Sequence, residues 1–340
     1  MLFLTRKVLY VKIMRNTLRE DTMDEIRIPT EAGACKAEGV QTDFRCKKRR
    51  RRFGDRKDGR RVRGIHPMQF MIPFLMPERS DAQNHFEDEL DITNLEKYLN
   101  DKHEAGYSEM GFLHVFIAAY VRAVSQRPAI NRFLSGQHVF ARPDVVAVMP
   151  VKKQMTIDSP DTSIKIHFDQ RDTAVTVYEK FEAVYRAAIS CENNFDKLAA
   201  RLMRIPRLLL RFTVSFLKFL DYFGWLPKSL LEVSPFHGSV IITSMGSLGI
   251  NAIYHHLYNF GNLPVFLSYG KKYTKTVFND EGVAEKRRFV TFRAVVDERI
   301  CDGYYYASGF KIMKRYLLHP ELLDTEMTEY VEDIDCLLLR

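Results

Sequence analysis

Apolar residues first organise the chain between positions 111 and 189. Phe112, Val115, Phe116, Ala119, Tyr120 and Ala123 recur at helical spacing and predict a helix over 111–125, which Arg127-Pro128 ends. A second helix is predicted over 172–189, with Val175, Val177, Phe181, Val184 and Tyr185 on one side and Asp172 or Thr173 available to cap it. Between them, short β-branched or alternating runs at 139–141, 145–151 and 163–168, punctuated by Pro143, Pro150 and Pro160, predict strands. The pattern is helical over 198–231 and returns to strand at 239–243, 264–269 and 288–296, with a turn at Asn279-Asp280-Glu281-Gly282. A helix over 304–318 closes the pattern before His319-Pro320. Upstream, the Met- and Phe-rich run at 66–77 reads as an early strand or buried connection, and Asp91 opens a helix for which Thr93 is a candidate cap. Helices alternate with strands, some of them hairpin-linked, so the expected fold is a mixed β-sheet covered by helices.

Charge changes the picture at the two ends. The net charge of +8 is concentrated in residues 45–63, which hold twelve Lys and Arg and two Asp, whereas 321–335 hold seven carboxylates and no basic residue. The division predicted is a flexible basic N-terminal extension at 1–52, a catalytic domain at 53–323 and an acidic, solvated tail at 324–340. A basic run can bind nucleic acid, but no interleaved aromatics or recognisable module accompany this one, and nucleic acid is not the expected partner. The five cysteines, at 35, 46, 191, 301 and 336, are odd in number and lack a Cys-x-x-Cys pair. They argue against a disulfide framework or a zinc site and for a reducing, cytoplasmic compartment.

The opening apolar residues are broken by Arg6, Lys7 and Lys12 and lack a cleavage site, so secretion is not predicted. The most apolar stretch, 208–226, contains Arg211, Lys218 and Asp221, whereas a spanning helix wants ~20 residues nearly free of charge. It predicts an amphipathic core or interface helix, with a helix lying on a membrane surface as the alternative, and no membrane span.

Four blocks carry the candidate chemistry. In chain order they are Arg127-Pro128-Ala129-Ile130-Asn131 at the end of a helix; Gly238-Ser239-Val240-Ile241-Ile242-Thr243-Ser244-Met245-Gly246-Ser247-Leu248-Gly249; the strand from Pro264 to Gly270; and Asp297-Glu298-Arg299-Ile300-Cys301-Asp302-Gly303 before an Ala-bearing helix. Each alone is common turn or strand chemistry. In this order and spacing they resemble the catalytic domain of the 2-oxoacid dehydrogenase acyltransferases and its relative chloramphenicol acetyltransferase, over about four-fifths of the chain. The resemblance implies the chloramphenicol acetyltransferase-like fold of the coenzyme A-dependent acyltransferases, a homotrimer whose site is shared between adjacent subunits, and acyl-coenzyme A as co-substrate, with no bound cofactor or metal.

The family signature is Asp-His-Arg-x-x-Asp-Gly. Its histidine is general base on a thiol, a hydroxyl from the second block stabilises the oxyanion, and the second Asp holds the loop, typically by pairing with an arginine. Carried over, Arg299, Asp302 and Gly303 match the signature as structural residues. Thr243 aligns with the family's Ser and Ser244 with its Asn, which supplies a hydroxyl in either register. The histidine is replaced by Glu298. Moving a proton from a thiol near pKa 8.5 to a carboxylate near 4.3 costs roughly 5.7 kcal/mol, against roughly 2.7 for an imidazole near 6.5, so Glu298 needs a raised pKa to serve as base. Burial raises a carboxyl pKa and a neighbouring cation lowers it. His255 and His256 lie nearest the oxyanion block and His237 just before it, without an assigned role. Cys301 lacks an adjacent base and is not assigned as a nucleophile.

Two functions follow from this pattern. One is a stand-alone acyltransferase moving an acyl group from acyl-coenzyme A to a thiol, hydroxyl or amine acceptor, with Glu298 as base. The other is a catalytically silent homologue acting as a binding or scaffold protein, in which Glu298 is locked in an ion pair or the channel is blocked.

Overall fold

The computed structural model describes residues 52–152, 161–190, 204–279, 281–327, 330, 331 and 333. The predicted N-terminal extension, apart from Arg52, and most of the acidic tail lie outside them. Ten strands are described: β1 Arg60–Arg61, β2 Gln83–Asp91, β3 Phe133–Ser135, β4 His138–Ala141, β5 Val145–Lys152, β6 Asp161–Phe168, β7 Val240–Ser244, β8 Val265–Tyr269, β9 Tyr273–Phe278 and β10 Ala284–Asp297. The helices are α1 Pro67–Leu75, α2 Thr93–Glu104, α3 Phe112–Gln126, α4 Ala174–Ser190, α5 Arg207–Tyr222, α6 Lys228–Val233 and α7 Gly303–Leu318.

Seven strands form the main sheet in the order β2-β10-β8-β7-β5-β6, with β9 hairpinned onto the first part of β10. Pairs β5–β7 and β7–β8 are parallel and the rest antiparallel, which is the mixed sheet that the alternation predicts. The central strands are apolar on both faces because both are covered. Val240 and Ile242 of β7 join Val265 and Leu267 of β8 in the core beneath α3 and α7, while Ile241 and Phe266 turn to the opposite face with Val148, Leu257, Leu263 and Val295. The segment after Gly249 covers that second face. Pro150 lies within β5 rather than beyond it, opposite Ser163, at a point past the last β5–β7 pair, where no ladder N–H is needed on that side.

Residues 66–77 are not a strand or a buried connection. They form α1, which begins at Pro67 as proline at the first turn permits, and which leaves Met68, Phe70, Met71, Phe74 and Leu75 exposed. β2 was hidden because its sequence, Gln-Asn-His-Phe-Glu-Asp-Glu-Leu-Asp, is that of a charged edge strand. Thr93 is the first residue of α2, and the carboxylate of Asp91 accepts from its N–H and its hydroxyl at 2.9 and 2.6 Å. The helical stretch at 198–231, described from Arg204, is divided into α5 and α6. Gly224, with φ of 71°, closes α5: its N–H bonds to Asp221 and that of Trp225 reaches back to the Leu220 carbonyl, at 3.0 and 2.8 Å.

Candidate active site

The signature loop continues from the C-terminal end of β10. Asp297 is fully buried and accepts from the Arg299 guanidinium at both oxygens, 2.8 Å each, and from Arg79 Nε at 3.1 Å. The two arginines spend their remaining N–H groups on main-chain carbonyls, Arg299 on Met76 and Pro77, Arg79 on Tyr258 and Gly261. One buried carboxylate therefore ties together the signature, the exit of α1 and the segment before β8, and burial is compensated because every charge has several partners. A cleft of about 320 Å³ opens beside this knot, lined by Arg79, Arg299, Glu78, Asp221, Lys218 and Asn259 among others.

Glu298 follows directly. Its N–H bonds to the Ala82 carbonyl at 2.9 Å, fixing its backbone to the start of β2. Its side chain is partly buried and, among the described residues, makes neither an ion pair nor a hydrogen bond. An ion pair of Glu298, one of the two arrangements expected of the silent alternative, is not made among the described residues; the pair here is Asp297–Arg299. Asp302 does not pair with an arginine either: it is exposed and caps α7, accepting from the Tyr305 N–H at 2.8 Å. Gly303 is the first residue of that helix. Cys301 is buried, and burial pushes its thiol far above the ordinary range, so it remains protonated and inert.

The other half of the site is at the end of β7. Successive side chains alternate between faces, so Thr243 and Ser244 part company. Ser244 turns to the helix side, where it bonds to Tyr269, whose hydroxyl burial pushes up to about 12. Thr243 is buried on the face of Phe266, and its Oγ1 is 3.2 Å from His255 Nε2. The His255 ring stacks on Phe266 with centroids 4.3 Å apart, and burial, with a smaller contribution from His256, holds its pKa below the usual value. The imidazole is therefore neutral near pH 7, able to give Nε2–H to the threonine oxygen and leave the threonine hydrogen free to donate elsewhere. The turn beyond needs its glycine: a Cβ on Gly246 would stand 2.6 Å from the Gly270 carbonyl oxygen, which joins the second block to the third.

Within one chain the two halves are far apart. Thr243 pairs with Ser268, which pairs with Arg293, and Glu298 lies five residues beyond Arg293. At ~3.3 Å per residue and ~4.8 Å per strand, the Cα atoms of Thr243 and Glu298 are roughly 19 Å apart. A reacting atom sits about 3 Å from both its base and its oxyanion donor, which these two cannot satisfy in a single copy. The sequence pattern did not reveal Arg79, a lone arginine ahead of a polar strand, or distinguish His255 from the other histidines, because both owe their positions to the segment that crosses the second sheet face.

No protein-family model matches the chain, and no curated protein does. Among solved structures it is similar to a probable dihydrolipoamide acetyltransferase from Listeria monocytogenes, with 16% identity, 80% of this chain and 99% of that one covered, and a TM-score of 0.47. It is also similar to the dihydrolipoamide acetyltransferase of Azotobacter vinelandii, with 16% identity, coverage of 77% and 94% and a TM-score of 0.47. A third likeness is to chloramphenicol acetyltransferase, with 13% identity, coverage of 74% and 94% and a TM-score of 0.43. These three solved structures are acetyltransferases, and at such identities and TM-scores nothing of their activity passes to this chain.

Proposed function

We propose that the protein is a coenzyme A-dependent acyltransferase whose active sites are shared between copies in a homotrimer, with Glu298 of one subunit facing Thr243 of the next. The observation that carries this reading is the unpaired Glu298 carboxylate beside the locked Asp297–Arg299 pair. Partly exposed and bonded to no other side chain, the carboxylate is free to accept a proton from a bound group. The roughly 19 Å between Glu298 and Thr243 fits a site completed by a second copy. The uncharged exposed face of α1, whose Gln69 side chain donates to the Ile300 carbonyl of the signature, supplies apolar surface for such a contact.

In this mechanism the Glu298 carboxylate takes the proton of the acceptor thiol, hydroxyl or amine as the acceptor attacks the thioester carbonyl. The resulting oxyanion accepts from the Thr243 hydroxyl, which His255 Nε2–H orients. Collapse breaks the C–S bond, and the departing coenzyme A sulfur recovers the proton from Glu298. Thr243 rather than Ser244 is the donor because only Thr243 is on the face away from the helices.

Co-expression of Thr243→Val and Glu298→Ala subunits tests the shared site. Each variant alone loses about two or more orders of magnitude of activity, whereas random assembly of the mixture restores about one quarter of the sites, those pairing an intact Glu298 with an intact Thr243. A mixture as inactive as its parents rules out the shared arrangement.

A further inference from the structure

Apart from Lys218, Asp221 and Tyr222, which line the cleft beside the signature, helix α5 and the turn after it present a surface for which the proposed acyl transfer has no use. The helix rests on the body through Leu210, Thr213, Leu217, Leu220 and Asp221, and most of its other side chains are exposed. At 100° per residue the exposed part divides into two arcs. Leu208, Leu209, Phe212, Phe216, Phe219 and Phe223 fill one arc of about 100°, with Leu208 83% and Phe212 71% exposed. Arg207, Arg211 and Lys218 fill an adjacent one. Trp225, 61% exposed, folds back after Gly224 so that its ring stacks on Phe223 at 5.1 Å and meets Phe219 at 6.2 Å.

The charges say what covers this arc. Residues 204–228 carry five basic side chains, Arg204, Arg207, Arg211, Lys218 and Lys228, and one carboxylate, Asp221. All five are exposed, and none forms an ion pair among the described residues. Asp221 is buried against Arg56 at 2.7 Å, so no carboxylate on this stretch faces outward. A second copy docked symmetrically here would bring like cationic arcs together. The α1 face, which has no charge, is the better protein contact. At 16 residues, with Arg211 and Lys218, α5 is too short and too charged to cross a bilayer, and no described helix is long and apolar enough to do so.

We propose that α5 and the Phe223-Gly224-Trp225 turn dock the protein onto the surface of an anionic lipid bilayer. The aromatic arc enters the boundary between headgroups and acyl chains, and the cationic arc lies against lipid phosphates and carboxylates. The helix lies along the surface and does not span it.

Trp225 is the only tryptophan in the chain, so tryptophan emission, excited selectively over the tyrosines, reports on this surface alone. The full chain is titrated with vesicles of phosphatidylcholine containing about one quarter phosphatidylserine, and with phosphatidylcholine vesicles. Emission should shift to the blue with the anionic vesicles, and the protein should float with them. Binding should be at least about tenfold weaker to phosphatidylcholine alone or in about 0.5 M salt. Arg207→Glu/Arg211→Glu and Phe212→Ser/Phe216→Ser should each lose about tenfold or more in vesicle affinity, with far-ultraviolet circular dichroism and melting temperature unchanged, as solvent-exposed sites permit. An absent spectral shift overturns the proposal, as does vesicle binding that survives Phe212→Ser/Phe216→Ser. So does a wild-type oligomer that dissociates in that variant, which would assign the arc to a second copy.

Discussion

Arg299 grips Asp297 with two hydrogen bonds of 2.8 Å, and neither side chain reaches solvent. Because Arg79 shares the same carboxylate at 3.1 Å, the signature loop is anchored to two remote segments through one residue. Arg299→Met strips both guanidinium hydrogen bonds from a buried carboxylate and leaves it to Arg79 alone, so it should cost about 2–4 kcal/mol in urea unfolding. Glu298→Ala, with no partner to orphan, should cost less than about 1 kcal/mol. Equal losses for the two variants would mean that Glu298 belongs to the structural knot.

Thr243 and His255 form the second relationship that matters for chemistry. Thr243→Val should lower kcat about 10²- to 10³-fold, the loss seen when one oxyanion donor is removed, while Thr243→Ser should retain most of it. His255→Phe should lower kcat in the wild-type background and add little to Thr243→Val, because its role passes through the threonine hydroxyl. Additive losses would detach His255 from that role.

The mixed sheet was legible because its central strands are apolar on both faces and its main helices are strongly periodic, as in Val240 to Thr243 and Phe112 to Ala123. What periodicity missed was set by tertiary position. β2 is a charged edge strand whose register comes from β10, and α1 is an apolar helix with no polar face from which to read a helical period. At the candidate site, the order of the motif blocks drew attention to Asp297 to Gly303, which follows from the end of β10, and to Thr243 and Ser244 at the end of β7. Which aspartate holds the arginine was not legible, since Asp297 and Asp302 are both spaced to reach one, and only burial of the first and exposure of the second decides.

Acid sensitivity should arise away from the site, at Arg56 and Asp58. Burial alone would push the Asp58 carboxyl up, but the Arg56 and Arg142 charges outweigh it and hold it at about 2. A carboxyl with folded pKa about 2 and unfolded pKa about 3.9 stabilises the fold by about 2–3 kcal/mol above both values, and this is lost as pH falls from about 4 through about 2. Urea unfolding across that window should show a shallower decline for Asp58→Asn than for wild type. Parallel curves would locate the acid sensitivity elsewhere.

The exposed face of α1 should be subunit contact. Phe70→Asp/Phe74→Asp is expected to convert a trimer to a monomer in analytical ultracentrifugation and to abolish turnover with it, since a lone copy holds Glu298 and Thr243 roughly 19 Å apart. An active monomer would contradict the shared site.

The most direct measurement is release of free coenzyme A thiol from a panel of short acyl-coenzyme A donors with thiol, hydroxyl and amine acceptors, comparing wild type with Glu298→Ala and Glu298→His. Wild type should turn over, the alanine variant should lose about two or more orders of magnitude as the removal of a general base demands, and histidine should restore activity. A wild type that is inert while Glu298→His is active, or turnover that Glu298→Ala leaves unchanged, would contradict Glu298 as the base of an acyltransferase.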